Sequence, residues 1–515
     1  MNKQEALNFI KKNTWAVASG PAVYQFCYPF MAGFMRMSKY YNEFYKSVFL
    51  IITNQVCYQY SIETQTFKNI KQLYDEPEKT KTLFNNWRKE NKRFFEFCEK
   101  EVCALEKLDD NKLYLLYNSF LNYFIETWTP TLSVDVMGTY TETELLNNFL
   151  KAVKEGVKKA VNKTVNSRHL ERRDTLKYFN ELCQPTHISF VGKEHISILN
   201  LALLYKKEKD KFNLSNHFKN QLKEHQKNVY WIENNYRNIK TLDERYFLEK
   251  IKAESAKTKE QINESLKKLE DVKSIEKKQK LLFTQLNLKG KIIQDILLTH
   301  LLTEWQDSRR EMNMKGNHYL NELLKMIAKR KNLSLNEIYH ASVGEISSLF
   351  TKTKNNTLGK IDKNKLHLRS KHMVQLMEQP EQETIFEGKD AEEIINAFKS
   401  ENIDADLRGL TASFSNTSDK IITGKVRVVL DANKSKLEEG EILVASMTRP
   451  EYVPLMKKAK AIITDEGGMT SHAAIVSREM GIPCIIGTKN ATKLLKDGMI
   501  VAMNTNHGVV RIIKS

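Results

Sequence analysis

The sequence predicts an α + α/β protein, a large mostly helical N-terminal region followed by a compact C-terminal α/β domain. Three observations lead there. Proline is absent between His187 and Gln379, so nothing in that span forces a helix to stop. Glycine is sparse in the first part and concentrated after Gly388. Apolar residues recur at three and four over the first 365 positions, the period of an amphipathic helix. Near the C-terminus short apolar runs alternate with glycine-rich turns.

The elements follow in chain order. Leu115–Phe124 and Ile292–Leu302 carry the helical period most clearly. Asp243 to Lys280 is highly charged and reads as a helical arm, a long hairpin or coiled coil, against the plainer alternative of a solvated helix. Met373–Met377 and Glu383–Phe386 around Gln379-Pro380-Glu381 read as a small hairpin, Ala391–Phe398 as a helix, and Ser400–Asp404 as a linker. The expected division is 1–365 helical, 366–404 hairpin, helix and linker, and 405–515 the α/β domain. Ile421–Leu430, Glu439–Ala445, Ala461–Thr464 and Cys484–Ile486 read as strands of that last domain, closed by a hairpin about Asn506–Val510.

Composition bounds the function. The chain has 515 residues, enough for two to four domains. It lacks an apolar run long enough to span a membrane, and its first residues are too polar for a secretory signal. The six cysteines, at 27, 57, 98, 103, 183 and 484, form no CxxC pair, so neither a metal site nor a disulfide framework is expected and the cytoplasm is the expected compartment. The net charge of +18 is spread among interleaved acids. That pattern suits attraction of phosphorylated ligands better than a nucleic-acid footprint.

The chemistry concentrates in Thr464-Asp465-Glu466-Gly467-Gly468-Met469-Thr470-Ser471-His472-Ala473-Ala474-Ile475 and the run to Pro483. A buried strand ends at Thr464, and Gly467-Gly468 allows positive φ or close approach of a ligand. Thr470 or Ser471 can cap a helix that ends near Met480, with Gly481 and Pro483 beyond it. His472 then stands in the first turn, where free N–H groups and the helix dipole favour an anion. A neutral imidazole there can accept and hand on a phosphoryl group. The Thr470 hydroxyl is the candidate for orienting the ring. A lone histidine is ordinarily a bland hydrogen-bonded residue; its surroundings argue otherwise here.

This stretch resembles the signature of the phosphohistidine swivelling domain of PEP-utilising enzymes, among them phosphoenolpyruvate synthase, pyruvate phosphate dikinase, enzyme I of the sugar phosphotransferase system and rifampicin phosphotransferase. The resemblance runs over about the last hundred residues, including Thr448-Arg449-Pro450, similar to the family's Thr-x-Pro loop. It implies that His472 is phosphorylated and that Thr470 stands beside it. Gly467, Gly468, Ser471 and Arg478 become phosphate-binding candidates, with Arg478 and Glu479 equally suited to structural pairing. Phe414–Lys420 departs from the family's shorter turn, and His507 reads as a surface histidine. More patchily, Tyr230–Tyr236 and Arg309-Arg310-Glu311 resemble helical segments of the same proteins, which makes Tyr230, Trp231, Tyr236, Arg309 and Arg310 candidates to line an acceptor pocket. Neither a P-loop, nor a GxGxxG turn, nor an ATP-grasp tract, nor a PEP-binding barrel is found. The resemblance therefore implies that Mg2+ and ATP act through a separate ATP-grasp partner, with delivery to a small-molecule hydroxyl or enol acceptor. A PEP-charged carrier related to enzyme I and a non-catalytic binding module are the alternatives.

Overall fold

A computed structural model describes residues 2–12, 16–19, 23–36, 47–52, 57–61, 76–132, single positions between 134 and 179, 181–208, 214–352, 357–379, 382–399, 407–413, 421–468, 471–488, 490–505 and 508–514. The expected linker at 400–404, the segment 414–420, Thr470 and His507 lie outside these residues.

Helices come first and are cut by their capping residues. In chain order they are α1 (Lys3–Lys12), α2 (Tyr24–Met35), α3 (Pro77–Glu101), α4 (Asp110–Trp128), α5 (Phe190–Glu208), α6 (Asn216–Val229), α7 (Glu244–Ser255), α8 (Lys259–Glu270), α9 (Val272–Gln285) and α10 (Lys291–Arg330). Asp109 starts α4 by accepting from Lys112 N at 2.8 Å, as side-chain caps do for orphan N–H groups. The charged stretch 243–280 is divided where local capping is strongest. Asp243 caps α7, Thr258 and Gln261 form a reciprocal capping box at α8, and Asp271 caps α9. Ile251, Ile262 and Leu266 of this stretch are buried against α5 and α6, so it is packed wall rather than projecting arm.

The forty-residue α10 is the axis of the molecule. It is apolar on several faces, as a helix enclosed by its neighbours must be. Trp305 and Leu320 join the aromatic core of α2, α3 and α4; Met314 joins the α5–α8 core; Ile292 and Ile296 meet the C-terminal domain. α4 packs closely at Gly316, where a Cβ would collide with the Phe124 ring.

Three short strands interrupt the N-terminal region, which is expected to be mostly helical. β1 (Ala16–Ser19), β2 (Ser47–Ile52) and β3 (Cys57–Ser61) join β4 (Met373–Gln379) and β5 (Gln382–Glu387) in an antiparallel sheet of order β1-β3-β2-β4-β5. The hairpin expected at 373–386 is thus the edge of a larger sheet. Beyond α10 lie α11 (Leu335–His340), α12 (Val343–Ser348), α13 (Lys363–Lys371) and α14 (Gly388–Lys399). Buried Arg369 ties α12 to β5 through Glu345 at 2.7 Å and Glu387 at 2.8 Å.

The C-terminal domain is a mixed sheet of order β6-β13-β12-β8-β9-β10-β11-β7, made of β6 (Leu407–Arg408), β7 (Leu410–Ser413), β8 (Ile422–Val428), β9 (Ile442–Ala445), β10 (Ala461–Thr464), β11 (Cys484–Ile486), β12 (Ile500–Asn504) and β13 (Val509–Lys514). β8, β9, β10 and β11 run parallel. β9, β10 and β11 are buried along their whole length, as expected of strands covered on both faces. Ile442 and Val444 face a core with Val501 and Met503; Leu443 and Ala445 face α16 (His472–Met480), which follows the short α15 (Val453–Met456).

Candidate functional site

The site lies at the carboxyl ends of the parallel strands, where crevices form in open α/β sheets. β9 and β10 are in parallel register, Ala445 opposite Thr464, so the loops leaving them meet. Asp465 N donates to Ala445 O and Glu466 N to Ser446 O, which welds the two loops. The Asp465 carboxylate accepts from the Thr492 N–H at 2.9 Å and from its hydroxyl.

The glycine expectation is specific here. Gly467 has φ +113°, and a Cβ on it would fall 2.8 Å from Ser471 Oγ. Only glycine lets the chain fold back so closely. Ser471 N donates to Gly468 O at 2.9 Å. Ser471 is the N-cap of α16, its hydroxyl accepting from Ala474 N, and Gly481 ends the helix in the left-handed region at φ +67°. His472 is therefore in the first turn, as the sequence predicts.

His472 is 7% exposed. Its Nδ1 is 2.9 Å from the hydroxyl of Thr448, itself 5% exposed, and its Nε2 has no hydrogen-bond partner among the described residues. Burial, then Arg310, then Arg449 hold the imidazole well below the usual histidine range, so the ring is neutral. Thr448 holds the ring at Nδ1; Thr470, expected from sequence to orient it, lies outside the described residues. The signal for Thr448 was the Thr-x-Pro loop together with the parallel order of β9 and β10.

The two cations come from different regions. Arg449 belongs to the loop after β9, and its guanidinium lies over the Tyr236 ring at 5.5 Å. Arg310 belongs to α10. Of the other acceptor-pocket candidates, Arg309 points elsewhere, donating to Thr131 O at 3.4 Å beside the Trp128 ring. Trp231 is core, and Tyr230 packs edge-on against His318. Arg478 turns back along its own helix, its Nε donating to Ala474 O at 2.8 Å. Across the joint, Arg237 pairs with Asp431 at 3.0 Å beside a cleft lined by Asn235, Ser446, Arg449 and Glu451. Burial raises the Glu451 carboxyl above its usual range.

A neutral, buried histidine at a helix N-terminus, one nitrogen held, the other unpartnered, and two arginines acting on the ring electrostatically, is suited to carrying an anionic group. Residues 437–508 match the family described as PEP-utilising enzyme, mobile domain. The same region is 56% identical over 105 residues to a probable phosphoenolpyruvate synthase of Archaeoglobus fulgidus, covering 20% of this chain and 13% of that protein. It is 51% identical over 135 residues to the phosphoenolpyruvate synthase of Pyrococcus furiosus, covering 26% and 16%. With Pyrococcus abyssi's probable phosphoenolpyruvate synthase it shares 44% over 157 residues, 30% of this chain and 17% of that one. The matches thus span under a fifth of these relatives' lengths. Among the described residues no helix is long and apolar enough to cross a membrane.

Proposed function

We propose that this chain is a phosphotransferase component that carries a phosphoryl group on Nε2 of His472 and delivers it to a small hydroxyl or enol acceptor. The observation that carries the reading is the buried, unpartnered Nε2 of a ring whose Nδ1 Thr448 holds, with Arg310 and Arg449 acting on that ring electrostatically. With Nδ1–H donating to Thr448, the Nε2 lone pair attacks phosphorus, the P–O bond to the donor's leaving group breaks, and positive charge on the ring is shared with the Thr448 hydroxyl. In the reverse sense the acceptor oxygen bonds to phosphorus, the Nε2–P bond breaks, and a neutral imidazole leaves. Arg310 and Arg449 balance the phosphoryl charge.

The reading assigns Mg2+ and ATP to a separate ATP-grasp partner, or PEP to a PEP-dependent protein, and routes no step of this chain through a metal. Among the described residues no three His, Cys, Asp or Glu side chains converge to hold one. Similarity to phosphoenolpyruvate synthases makes pyruvate the first acceptor to assay. The cytoplasm is the proposed compartment, with neither nucleic acid nor membrane as partner. The test incubates the protein with labelled ATP and Mg2+, or labelled PEP, with and without cell extract. Acid-labile, base-stable label that is absent from His472→Ala supports the reading. Label from ATP without extract overturns the separate partner, and absence of label throughout overturns the carrier.

A further inference from the structure

We infer that the cleft between loop 235–238 of the helical region and the loops after β8 and β9 binds a small monocarboxylate bearing a hydroxyl, and that its binding holds the two regions docked. The inference goes beyond the carrier reading and does not depend on it. The two walls belong to different regions. Asn235, Arg237 and Asn238 form one of them. That wall is stiff: Asn235 Oδ1 accepts from the N–H groups of Arg237 and Asn238, both at 2.8 Å, and Tyr236 O accepts from Val23 N at 2.8 Å, beside the start of α2. Ser446, Arg449 and Glu451 line the other, with apolar surface from Leu430, Ala432 and Met447.

The fold leaves polar groups of this cleft unmatched. Ser446 Oγ and Glu451 Oε2 are buried atoms without a hydrogen-bond partner among the described residues. Buried polar atoms in native proteins are nearly always paired, so two orphans lining one cleft mark a place that something fills. Water could satisfy these oxygens, but a charge stands beside them as well. Arg449 makes no ion pair among the described residues; its guanidinium meets the Tyr236 ring at 5.5 Å and Met447 Sδ at 3.7 Å. A planar guanidinium fork matches a carboxylate. Arg237 is already paired with Asp431 at 3.0 Å, which leaves one cation for a ligand and favours a monoanion over a dianion. Burial favours the protonated carboxyl of Glu451 against the pull of Arg449, and in that form it donates. A ligand hydroxyl both donates and accepts, so it suits Ser446 and Glu451 together. The apolar lining takes a short carbon chain.

The cleft is joined to His472 through the chain. Successive side chains of extended backbone alternate in direction, and Arg449 is extended at φ −143° and ψ 174°. Thr448 turns to the His472 ring, while its neighbours Met447 and Arg449 line the cleft. A ligand that touches both walls is bound in the docked arrangement alone. It stabilises that arrangement by mass action and keeps the buried histidine closed to outside reagents.

The test uses the full-length chain and no phosphoryl donor. Lactate and glycolate are titrated by calorimetry, with propionate, which lacks the hydroxyl, and inorganic phosphate as controls. Diethyl pyrocarbonate modification of His472 is followed by mass spectrometry with and without each. The expected result is saturable binding of lactate or glycolate, weaker binding of propionate and phosphate, and slower modification of His472 over the same concentrations. Loss of a charged partner in Arg449→Gln should weaken binding about tenfold or more, and loss of a neutral hydrogen bond in Ser446→Ala about threefold. Ala432→Met puts a longer side chain on the apolar lining and should abolish binding; circular dichroism checks the fold of each variant. Absence of saturable binding to the wild type, or undiminished binding in Ser446→Ala and Ala432→Met, overturns the site. Equal binding of propionate or phosphate overturns the ligand class. Binding that leaves His472 modification unchanged overturns the hold on the joint. Each readout is made on the unphosphorylated protein, so failure here is distinct from failure of the carrier reading.

Discussion

Thr448→Val replaces a hydroxyl by a methyl group of similar size and removes the only hydrogen bond the His472 ring makes among the described residues. Both side chains are at most 7% exposed, so water cannot readily replace the lost partner at Nδ1. A buried polar group left unpaired costs about 1–3 kcal/mol. That cost counts against rate because the bond strengthens during reaction. As Nε2 bonds to phosphorus the ring becomes cationic, and its Nδ1–H becomes a charge-assisted donor. At 1.36 kcal/mol per tenfold, charging should slow by about 5- to 150-fold. Thr448→Ser retains the oxygen and should recover most of the rate. The assay is the initial rate of acid-labile phosphate incorporation from phosphoramidate. Wild-type charging by Thr448→Val, or a loss in Thr448→Ser as large as in Thr448→Val, refutes the argument that this hydroxyl prepares the ring.

Arg310→Ala should slow transfer from phospho-His472 about tenfold or more, as loss of one donor to a developing charge does, and should leave the sheet domain folded by circular dichroism. Gly316→Ala should destabilise in urea titration. The added Cβ meets a Phe124 ring stacked 5.3 Å from Phe94, and about 1–3 kcal/mol of overpacking exceeds the roughly 1 kcal/mol gained in helix propensity. Diethyl pyrocarbonate reacts with neutral imidazole, so half-loss of His472 modification should fall below pH 6.5, because burial and the two arginines disfavour the protonated ring. Arg237→Ala should raise the rate of that modification up to about fivefold, by removing an ion pair of about 1 kcal/mol from the joint; an unchanged rate shows that the pair does not hold the domains together.

What was legible in the sequence is what is decided locally. The strand, the glycine pair, the Ser471 cap, the helix and its Gly481 end all arise within about twenty residues, and each has a steric or capping cause readable in its own letters. The same kind of signal was present but outweighed in 243–280, where Thr258 with Gln261 and Asp271 mark breaks inside a continuous charged pattern. β1, β2 and β3 escaped because short strands are defined by partners. β2 finds one in β4, more than three hundred positions away. Arg309 and Arg310 show the limit for the site. They are neighbours in sequence but about 100° apart around α10, so one is spent on the helical core while the other acts electrostatically on His472.

The joint between the two regions explains why the second arginine matters. Leu182, Ile292 and Ile296 of the helical region share one apolar cluster with Tyr452, Met456 and Ala473 of the sheet domain, while Arg237–Asp431 and Arg449–Tyr236 sit at its polar side. Separation exposes apolar surface and unpairs charges, so the docked arrangement is the low-energy one for an uncharged histidine. In that arrangement Nε2 is closed to any protein-sized donor. A carrier built this way is charged only from the fraction of molecules that have opened, and its apparent affinity for the donor falls by that fraction. Adding a phosphoryl dianion changes the balance. It finds Arg449 within its own domain in either state, but Arg310 only when docked. On the proposed carrier reading, the phosphoryl group therefore favours the docked arrangement, and loss of Arg310 should weaken delivery more than charging.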